Sequence, residues 1–263
     1  PLRRIMGALK SAAVSPSTNW IAWPILSSGR GYNLFDYQTS RSGHCVRDFL
    51  GTWSGHLMVD DYAGYKALFG ESVIEQACWA HARRKFFELH AATGGKHPVA
   101  AEALERIGRL YAIEAEARRQ GLSIAARQTL RAERAKPELQ SLKDWLTRLS
   151  LTAAPGSGLA NAIHYLLRRW AAFAVYAETG HLPIDNNPVE NAIRPIAIGK
   201  KNWLFVGSER AGKRAAAIQS LIGTARLNGI DPAAWLRETL EKLPTWPNSR
   251  IDELLPVRWE NNP

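Results

Sequence analysis

Residues 56–61 read HLMVDD, in which a short apolar run ends abruptly in two aspartates. The run predicts a brief β-strand over residues 56–59, because apolar residues bounded by charged ones are typical of a short buried strand. Asp60 would then end a strand at the edge of a sheet.

Strand and helix patterns lie on both sides of this run. Upstream, residues 20–26 (WIAWPIL) and 32–37 (YNLFDY) are aromatic and β-branched, which predicts two short strands separated by SSGRG. Residues 42–50 (SGHCVRDFL) have apolar positions at helical spacing. Downstream, residues 62–70 predict a short helix, and residues 73–79 predict another strand.

From about residue 80 the composition becomes typical of helices. Residues 80–178 are dominated by Ala, Leu, Glu and Arg, with Gly or Pro breaks near residues 94–95, 121 and 155–158. Apolar residues repeat at helical spacing, which predicts faces that pack helix on helix. The charges on the opposite faces are expected to be solvated.

After residue 180 the pattern changes again. Asn187 can cap a helix with Pro188 at its first position, and residues 203–206 (WLFV) are expected to be extended. Asp231 and Pro232 start a further predicted helix. One side of that helix would be formed by Leu236, Leu240 and Leu243.

Composition narrows the class of protein. The chain has 263 residues, of which 46% are hydrophobic and 22% charged, so wholesale disorder is excluded. Two cysteines rule out a disulfide framework and favour a cytosolic setting, and no apolar run approaches the roughly 18 residues of a membrane span. Thirty-four Lys and Arg against 24 Asp and Glu give a net charge of +10. That excess favours a polyanionic partner, with nucleic acid as the first candidate.

Residues 207–214 (GSERAGKR) fit G-x-x-x-x-G-K, the pattern of a loop that cradles phosphates. A nucleotide-binding loop needs Ser or Thr at the next position to hold Mg²⁺, and this chain has Arg214 there. A basic, glycine-containing turn near a phosphate backbone is therefore favoured over a nucleotide site.

Cys78 and His81 have a spacing at which the two side chains can share a zinc ion. A structural zinc site needs four ligands, however, and Cys45 lies 33 residues upstream with no second pair. The pattern favours a buried thiol beside a hydrogen-bonded histidine, and no zinc is expected.

Asp60 and Glu190 form a third candidate. Carboxylates at such edges can jointly hold divalent cations for phosphoryl transfer. Each also has a structural interpretation, because Glu190 is three residues after Asn187, as in a capping box, and the Asp60–Asp61 pair can start the following helix. Spacing alone leaves both interpretations open and favours the structural one.

Four motifs together resemble the insertion sequence 66 family of bacterial transposases, in order and in register from about Tyr32 to Trp259. They are MVDDYAGY (58–65), ACWAHARRKF (77–86), IDNNPVENAIRPIAIGKKNWLFVGS (184–208) and SLIGTARLNGIDP (220–232). The resemblance implies a DDE transposase acting in DNA transposition and recombination of a mobile insertion sequence. It also implies Mg²⁺ or Mn²⁺ as cofactor, no nucleotide, and a cytoplasmic, nucleoid-associated location.

The resemblance also implies roles for particular residues. Asp60 matches the second catalytic aspartate and Glu190 the final glutamate, and both would hold metal, whereas the family accepts glycine or alanine at the position of Asp61. The structural motif residues would be Cys78, His81, Asp185, Asn186 and Asn187. Residues expected to bind DNA are Arg83, Arg84, Arg194, Lys200, Lys201, Trp203, Arg210, Lys213 and Arg214.

The implied fold is α/β, a partial RNase H-like core with a large all-helical insertion and a small C-terminal helical tail. The expected segments are a divergent start (1–19), the first part of the core (20–79), the helical insertion (80–180), the end of the core (181–221) and a C-terminal domain (222–263). Asp60 and Glu190, 130 positions apart, are expected within about 10 Å of each other.

One feature departs from the family pattern. The first catalytic aspartate should end a strand upstream of Trp20, yet residues 1–35 contain no Asp or Glu, and the earliest acid is Asp36. We therefore expect a truncated, catalytically incomplete transposase. The alternatives are a non-catalytic DNA-binding or regulatory fragment, which would pair with a second copy or a full-length transposase, and a nucleotide-binding protein. The expected nucleic-acid partner is double-stranded DNA, at insertion-sequence ends and target, and no membrane is expected.

Overall fold

The computed structural model describes residues 11–13, 20–27, 30–40, 42–203 and 207–257. The chain divides into two compact units. Unit 1 consists of residues Pro1–Ile74 and Asn187–Pro263, and unit 2 consists of Glu75–Asn186. The described residues are mostly helical and include a few short strands, as expected for a broadly α/β chain.

Five strands occur in the described residues: β1 (Ser11–Ala13), β2 (Trp20–Ser27), β3 (Arg30–Tyr37), β4 (Gly55–Val59) and β5 (Val73–Ala77). Three form a sheet in the order β1-β4-β5, in which β1 runs parallel to β4 with Ala13 opposite Met58. Strands β2 and β3 form an antiparallel hairpin with Trp20 opposite Tyr37. The two strands predicted on either side of SSGRG are thus confirmed.

The helices of unit 1 are α1 (Gly43–Leu50), α8 (Asn187–Trp203), α9 (Glu209–Leu227) and α10 (Pro232–Lys242), with 3₁₀ segments at Ala63–Leu68 and Asn248–Leu254. The helices of unit 2 are α2 (Trp79–Ala92), α3 (Pro98–Arg119), α4 (Ile124–Leu130), α5 (Lys136–Ser150), α6 (Gly158–Leu167) and α7 (Trp170–Ala174). A π-helical turn, Arg131–Ala135, joins α4 to α5, and a 3₁₀ segment, Val175–Glu178, follows α7.

The expectation that residues 203–206 are extended is wrong at Trp203, which is the last residue of α8, while residues 204–206 lie outside the described residues. The buried residues Val189, Ile193 and Ile196 follow a helical repeat. This apolar face stabilises a helix that continues past Pro195 to Trp203. The strand-like composition of WLFV does not reveal that continuation.

The core of unit 1 surrounds β4. Leu57, Val59 and Tyr65 are almost fully buried and belong to one apolar cluster with residues of α1, β3 and β5. The start of α1 approaches the 3₁₀ segment so closely that a Cβ on Gly43 would lie 2.1 Å from the carbonyl oxygen of Gly64. Glycine at position 43 is therefore required by the packing of the loop that follows β4.

Helix α9 packs on β3 through small residues. A Cβ on Gly212 would lie 2.5 Å from the ring of Tyr37, so only glycine permits this approach. Two hydroxyl groups on the same face accept hydrogen bonds from β3 backbone N–H groups: Ser220 Oγ from Phe35 (2.8 Å) and Thr224 Oγ1 from Asn33 (3.1 Å). Strand β2 pairs with only one edge of β3. On the other edge, the two hydroxyl groups accept the backbone hydrogen bonds that a neighbouring strand would otherwise accept.

The core of unit 2 is built from the faces of its helices around Trp79. That side chain is fully buried, its indole Nε1 donates to the carbonyl of Phe173 (2.9 Å), and its ring lies 5.0 Å from the Phe173 ring. The apolar residues that repeat at helical spacing within residues 80–178 include Ile107, Leu110 and Leu142, which are buried in this core. Their assignment to packing faces is confirmed.

One ion pair inside unit 2 lies on the packing faces, which the expectation of solvated charges on the opposite faces does not cover. Arg131 and Glu114 are 0% and 3% exposed, and the guanidinium donates to both carboxylate oxygens at 2.7 Å. Arg131 Nη1 also donates to the carbonyl oxygens of Tyr176 (2.8 Å) and Thr179 (2.6 Å). Burial is possible because these acceptors satisfy both the charge and the donors of Arg131.

Replacing Arg131 should destabilise unit 2 strongly, because it leaves a buried carboxylate and two carbonyl groups without donors. We expect Arg131→Met to lower the free energy of unfolding by about 3–5 kcal/mol. Arg134→Ala is the matched control, since the Arg134–Glu116 pair is exposed and should contribute at most about 1 kcal/mol. Urea unfolding followed by tryptophan fluorescence measures both, and equal losses would contradict this account.

Removing the Thr224 hydroxyl should weaken the attachment of α9 to β3. Thr224→Val keeps the shape of the side chain but leaves the buried N–H of Asn33 without its acceptor, which we expect to cost about 1–3 kcal/mol. Thr224→Ser keeps the hydroxyl and should cost less. Thermal unfolding of the two variants compares them, and a serine variant less stable than the valine variant would contradict the role of the hydroxyl.

Candidate functional site

Asp60 lies where the sequence predicts it, directly after a buried strand. Val59, the last residue of β4, is 1% exposed, whereas Asp60 is half-buried. The backbone N–H of Tyr62 donates to Asp60 Oδ1 (3.3 Å), which orients the carboxylate at the carboxyl end of the strand. The second carboxylate oxygen takes no part in that bond, so this position suits a ligand for a cation.

Asp61 has a different role. Its backbone φ of 79° is in the left-handed region, and it is the only described residue other than glycine with a positive φ. Glycine adopts this conformation without strain and aspartate tolerates it better than most residues. The left-handed backbone conformation therefore explains why glycine suits this position and why aspartate is tolerated in it.

Glu190 lies in the first turn of α8, which begins at Asn187. Its neighbours Val189 and Ile193 are buried and anchor the helix, while Glu190 itself is half-buried. A carboxylate in the first turn of a helix is stabilised by the N-terminal end of the helix dipole. Asp60 and Glu190 both belong to unit 1, although unit 2 separates them in the chain.

The strand that lies beside β4 carries no acid. Strand β1 pairs with β4 through Ser11, Ala12 and Ala13, opposite His56, Leu57 and Met58. Within the part of the chain that the structure describes, no cluster of three or more His, Cys, Asp or Glu side chains could hold a metal ion. The described strand pair thus offers Asp60 and no second carboxylate from β1.

The segment that precedes α8 is held by a row of hydrogen bonds within unit 2. The backbone N–H of Trp79 donates to the carbonyl of Ile184 (3.2 Å), and Gln76 Nε2 donates to the carbonyl of Pro183. The Cys78 thiol donates to Asn186 Oδ1 (2.9 Å), and the Tyr111 hydroxyl donates to Asp185 Oδ2 (2.9 Å). We call the four residues Pro183–Asn186 the strap.

The Cys78 thiol is committed to this strap. Burial raises its pKa to about 11, so the sulfur carries a proton at neutral pH and can donate to Asn186. The predicted buried thiol is confirmed, and the bond to Asn186 gives the Cys78–Asn186 motif pair a structural purpose. His81, three residues later, is half-buried on α2.

The favoured expectation that residues 207–214 form a basic, glycine-containing turn is wrong from Glu209 onward, and so is the nucleotide-loop alternative. Helix α9 begins at Glu209, and Ser208 caps it by accepting a hydrogen bond from the N–H of Ala211 (3.2 Å). Gly212 and Lys213 therefore lie inside the helix rather than in a loop. Their N–H groups are turned along the helix axis and cannot surround a phosphate.

The basic residues of the predicted DNA-binding set lie on both units. Arg210, Lys213 and Arg214 are exposed and line a shallow groove with Glu209, whose carboxylate pairs with Lys213 (2.5 Å) and raises the pKa of Lys213. Arg194 is exposed on α8, and the side chains of Lys200, Lys201 and Trp203 lie outside the described part of that helix.

On unit 2, the cations of α2 lie against aromatic rings. Arg83 and Arg84 are exposed, and the guanidinium of Arg83 is 5.9 Å from the ring of Phe87. Lys85, absent from the predicted set, lies 4.5 Å from the ring of Tyr165, which Arg168 also approaches at 5.8 Å. The sequence could have indicated Lys85, because it directly follows Arg83 and Arg84. The approach of Arg168 to Tyr165 depends on the tertiary structure, so no sequence pattern indicates it.

Two family models match this chain. The model described as Transposase IS66 family covers residues 8–214, and the model described as IS66 C-terminal element covers residues 220–257. The chain belongs to the IS66 transposase family. The resemblance carried by the four sequence motifs is thereby confirmed.

Relatives of this IS66-family chain occur in Sinorhizobium fredii. The uncharacterized protein y4hP is 36% identical over 242 residues, which are 86% of this chain and 44% of that protein. The uncharacterized protein y4qI is 36% identical over 239 residues, covering 87% of this chain and 43% of the relative. This chain therefore spans less than half the length of these relatives. No solved structure matches it.

The described helices of this transposase-family chain include none that is both long and apolar enough to cross a membrane. Leu236 and Leu240 of α10, and Leu243 directly after it, are the exposed leucines of the apolar side predicted from the sequence, and Asp231 caps that helix through the N–H of Ala233 (2.9 Å). The capping residue and the start of α10 are confirmed.

We expect Asp60 and Glu190 to bind one divalent ion together, which requires their carboxylates to lie within about 10 Å. Fe²⁺ bound at the pair, with ascorbate and peroxide, generates hydroxyl radicals that cut the backbone near the ion. Cuts should appear near both residue 60 and residue 190, and Glu190→Gln should abolish both. Glu209→Gln, at an exposed carboxylate, is the control that should change neither, and cuts near only one of the two acids would contradict the shared site.

Proposed function

We propose that this chain is a transposase polypeptide that binds duplex DNA and does not complete DNA cleavage or strand transfer by itself. The observation that carries the proposal is the pairing of the acid-bearing strand β4 with β1, whose residues Ser11, Ala12 and Ala13 carry no carboxylate. The parallel β1–β4 pair and the β2–β3 hairpin also support an RNase H-like arrangement as part of this proposal.

The donor set fits one Mg²⁺ better than two. Mg²⁺ usually takes one or two carboxylates and keeps several waters, which matches Asp60 and Glu190. When bound, such an ion supplies positive charge that stabilises phosphoryl oxygens. Asp60 is oriented by the N–H of Tyr62, and Glu190 by the first turn of α8. Two-metal chemistry needs a further carboxylate, which we propose this chain lacks.

Duplex DNA is the partner that the charge distribution favours. The exposed cations on α2, α8 and α9 are long side chains that can reach phosphate oxygens. A regulatory fragment is the second candidate, favoured by the same acid-free β1, because a chain that binds DNA without cutting it would compete with a full-length transposase. Its protein partner would be that transposase or a second copy of this chain.

Binding to duplex DNA should weaken steeply with salt, because each neutralised phosphate releases counterions. Replacing Arg210, Lys213 and Arg214 by alanine should reduce the slope of log K against log[salt] by about 2–3. Fluorescence anisotropy with a labelled duplex at several salt concentrations measures this slope.

The matched control for this DNA titration removes the same charge elsewhere. Arg118, Arg119 and Arg148 are exposed in unit 2 and outside the predicted set, so their alanine variants should leave most of the slope intact. Absence of binding by the unaltered chain at low salt would contradict the DNA-binding proposal, and equal losses in the two triple variants would contradict the assignment of the site.

Purified chain with Mg²⁺ or Mn²⁺ and its element-end DNA should yield no cleaved or joined products. A three-acid site reduced to Asp60 and Glu190 places a second ion poorly, and misplacement by about 1 Å can cost on the order of a hundredfold in rate. Product formation abolished by Glu190→Gln would contradict this expectation and would show that another acid, such as Asp36 or Asp61, completes the site. Denaturing gels of end-labelled DNA provide the measurement.

A further inference from the structure

We propose that Lys85 of α2 contacts a phosphate of bound DNA and that Tyr165 is the positioning residue that holds its ammonium group in place. The inference rests on the proposed binding of duplex DNA and adds a contact outside the predicted set of DNA-binding residues. Both residues belong to unit 2, in which α2 packs against α6. The observation that carries the inference is the distance of 4.5 Å between Lys85 Nζ and the centre of the Tyr165 ring.

The side chain of Tyr165 is a fixed platform within unit 2. It is 7% exposed, and its ring packs edge-on against Phe173 with the ring centres 5.8 Å apart. Arg169 Nη1 donates to the Tyr165 hydroxyl oxygen (3.1 Å), and Nε of the same guanidinium donates to Glu75 Oε1 (2.8 Å). The phenol is therefore anchored at its ring and at its hydroxyl, so a group that lies against it is held in one place.

Lys85 keeps its charge while its position is restrained. An aromatic ring attracts an ammonium group through its quadrupole and supplies no negative charge to cancel it. Lys85 is exposed, and among the described residues no carboxylate forms an ion pair with it, including Glu88 three positions later on α2. Glu75 is paired with the buried Arg169 (2.5 Å). The buried cation of this network is thus neutralised, whereas the exposed one remains available to an anion.

Restraint of the Lys85 side chain before binding favours a phosphate contact. A lysine side chain that moves freely loses rotamer freedom when its ammonium group is fixed on a phosphate. The contact with Tyr165 has already removed part of that freedom in the unbound chain. An ammonium group has three N–H donors, so it can lie against the ring and still donate to a phosphate oxygen. Lys85 should therefore contribute more to DNA binding than an unrestrained lysine does.

Two further cations lie beside this contact. Arg84 precedes Lys85 and is exposed, and Arg168, which directly follows α6, is exposed with its guanidinium 5.8 Å from the Tyr165 ring. Lys85 and Arg168 approach one ring from two elements, which keeps their charges close enough to contact neighbouring phosphates of one strand. Phosphate contacts fix the position of a duplex and carry no sequence information directly. The partner of this surface is therefore the DNA backbone rather than a base edge.

The first test measures binding of a labelled duplex by the full chain at several salt concentrations. Lys85→Gln should reduce the slope of log K against log[salt] by about 1 and weaken binding roughly five- to tenfold at about 0.1 M salt. Lys85→Arg keeps the charge and should keep the slope. Lys96→Gln is the matched control, because Lys96 is exposed in unit 2 and no aromatic ring lies against it among the described residues. That control should leave the slope nearly unchanged.

The second test separates the ring of Tyr165 from its hydroxyl. Tyr165→Leu removes the ring, and we expect DNA binding to weaken about two- to fivefold with the salt slope retained, because the charge of Lys85 is still present. Tyr165→Phe keeps the ring and should lose less affinity. A lower affinity without a lower slope is the signature that distinguishes a positioning residue from a phosphate contact.

The positioning role also has a readout that does not require DNA. Reductive methylation with ¹³C-formaldehyde converts lysine ammonium groups to dimethylammonium groups that keep their charge, and methyl groups over an aromatic ring resonate upfield. The resonance that disappears in Lys85→Arg should lie upfield in the unaltered chain and in Tyr165→Phe. It should move to the position of the other lysines in Tyr165→Leu. If Tyr165→Leu does not fold, the first two spectra decide whether Lys85 lies over the ring.

The outcomes separate this inference from the proposed function. Absence of binding by the unaltered chain at low salt would overturn DNA binding, and the methyl resonance would still decide whether Tyr165 holds Lys85. An unchanged slope in Lys85→Gln, or an equal loss in Lys96→Gln, would overturn the phosphate contact alone. A Lys85 resonance that is not shifted upfield, or equal DNA affinity in the two Tyr165 variants, would overturn the positioning role.

Discussion

The hydrogen bonds between the first and last residues of unit 2 are the constraint on which the remaining architecture depends. Cys78 and Asn186 are 108 positions apart in sequence, yet their side chains bond at 2.9 Å. The chain therefore leaves unit 1 after Ile74 and returns at Asn187 from two paired ends. Closing so long a loop costs conformational entropy, which the paired ends and the core around Trp79 offset. A helical unit can thus interrupt the chain between Asp60 and Glu190 without requiring those residues to separate in space.

Several motif residues that mark the IS66 family serve packing rather than chemistry. In SLIGTARLNG, Ser220 and Thr224 supply hydroxyl acceptors to the backbone of β3, and Gly223 lets α9 approach, since a Cβ there would lie 3.1 Å from Asn33. In DDYAGY, Gly64 and Tyr65 pack the loop after Asp60 against α1. The acids are therefore presented by segments whose neighbouring residues are specified by close backbone contacts.

Positive charge is distributed unequally over the chain. In unit 2, Arg106 and Arg109 of α3 and Arg134 of the π-helical turn are paired with carboxylates of α3, and Arg131 is buried with Glu114. Arg83 and Lys85 of α2 lie instead against the rings of Phe87 and Tyr165, which attract a guanidinium or ammonium group without cancelling its charge. Cations that lie against aromatic rings keep their charge available to a phosphate backbone. The proposal that DNA is the partner is therefore supported by these particular cations rather than by the net charge.

The sequence by itself determined the strand that ends at Asp60, the β2–β3 hairpin, the helical segment, the cap at Asp231 and the family, because each depends on local periodicity or on a motif read in order. It did not reveal the buried Arg131–Glu114 pair, since helical spacing shows which residues share a face but not which face meets an acceptor. It favoured a basic, glycine-containing turn at residues 207–214, where Gly212 in fact lies inside α9 and lets that helix pack on β3. Only the tertiary structure decided that Tyr111 holds Asp185 and that Cys78 holds Asn186, because hydrogen bonds between residues 74 and 108 positions apart depend on how the helices pack and leave no pattern along the chain.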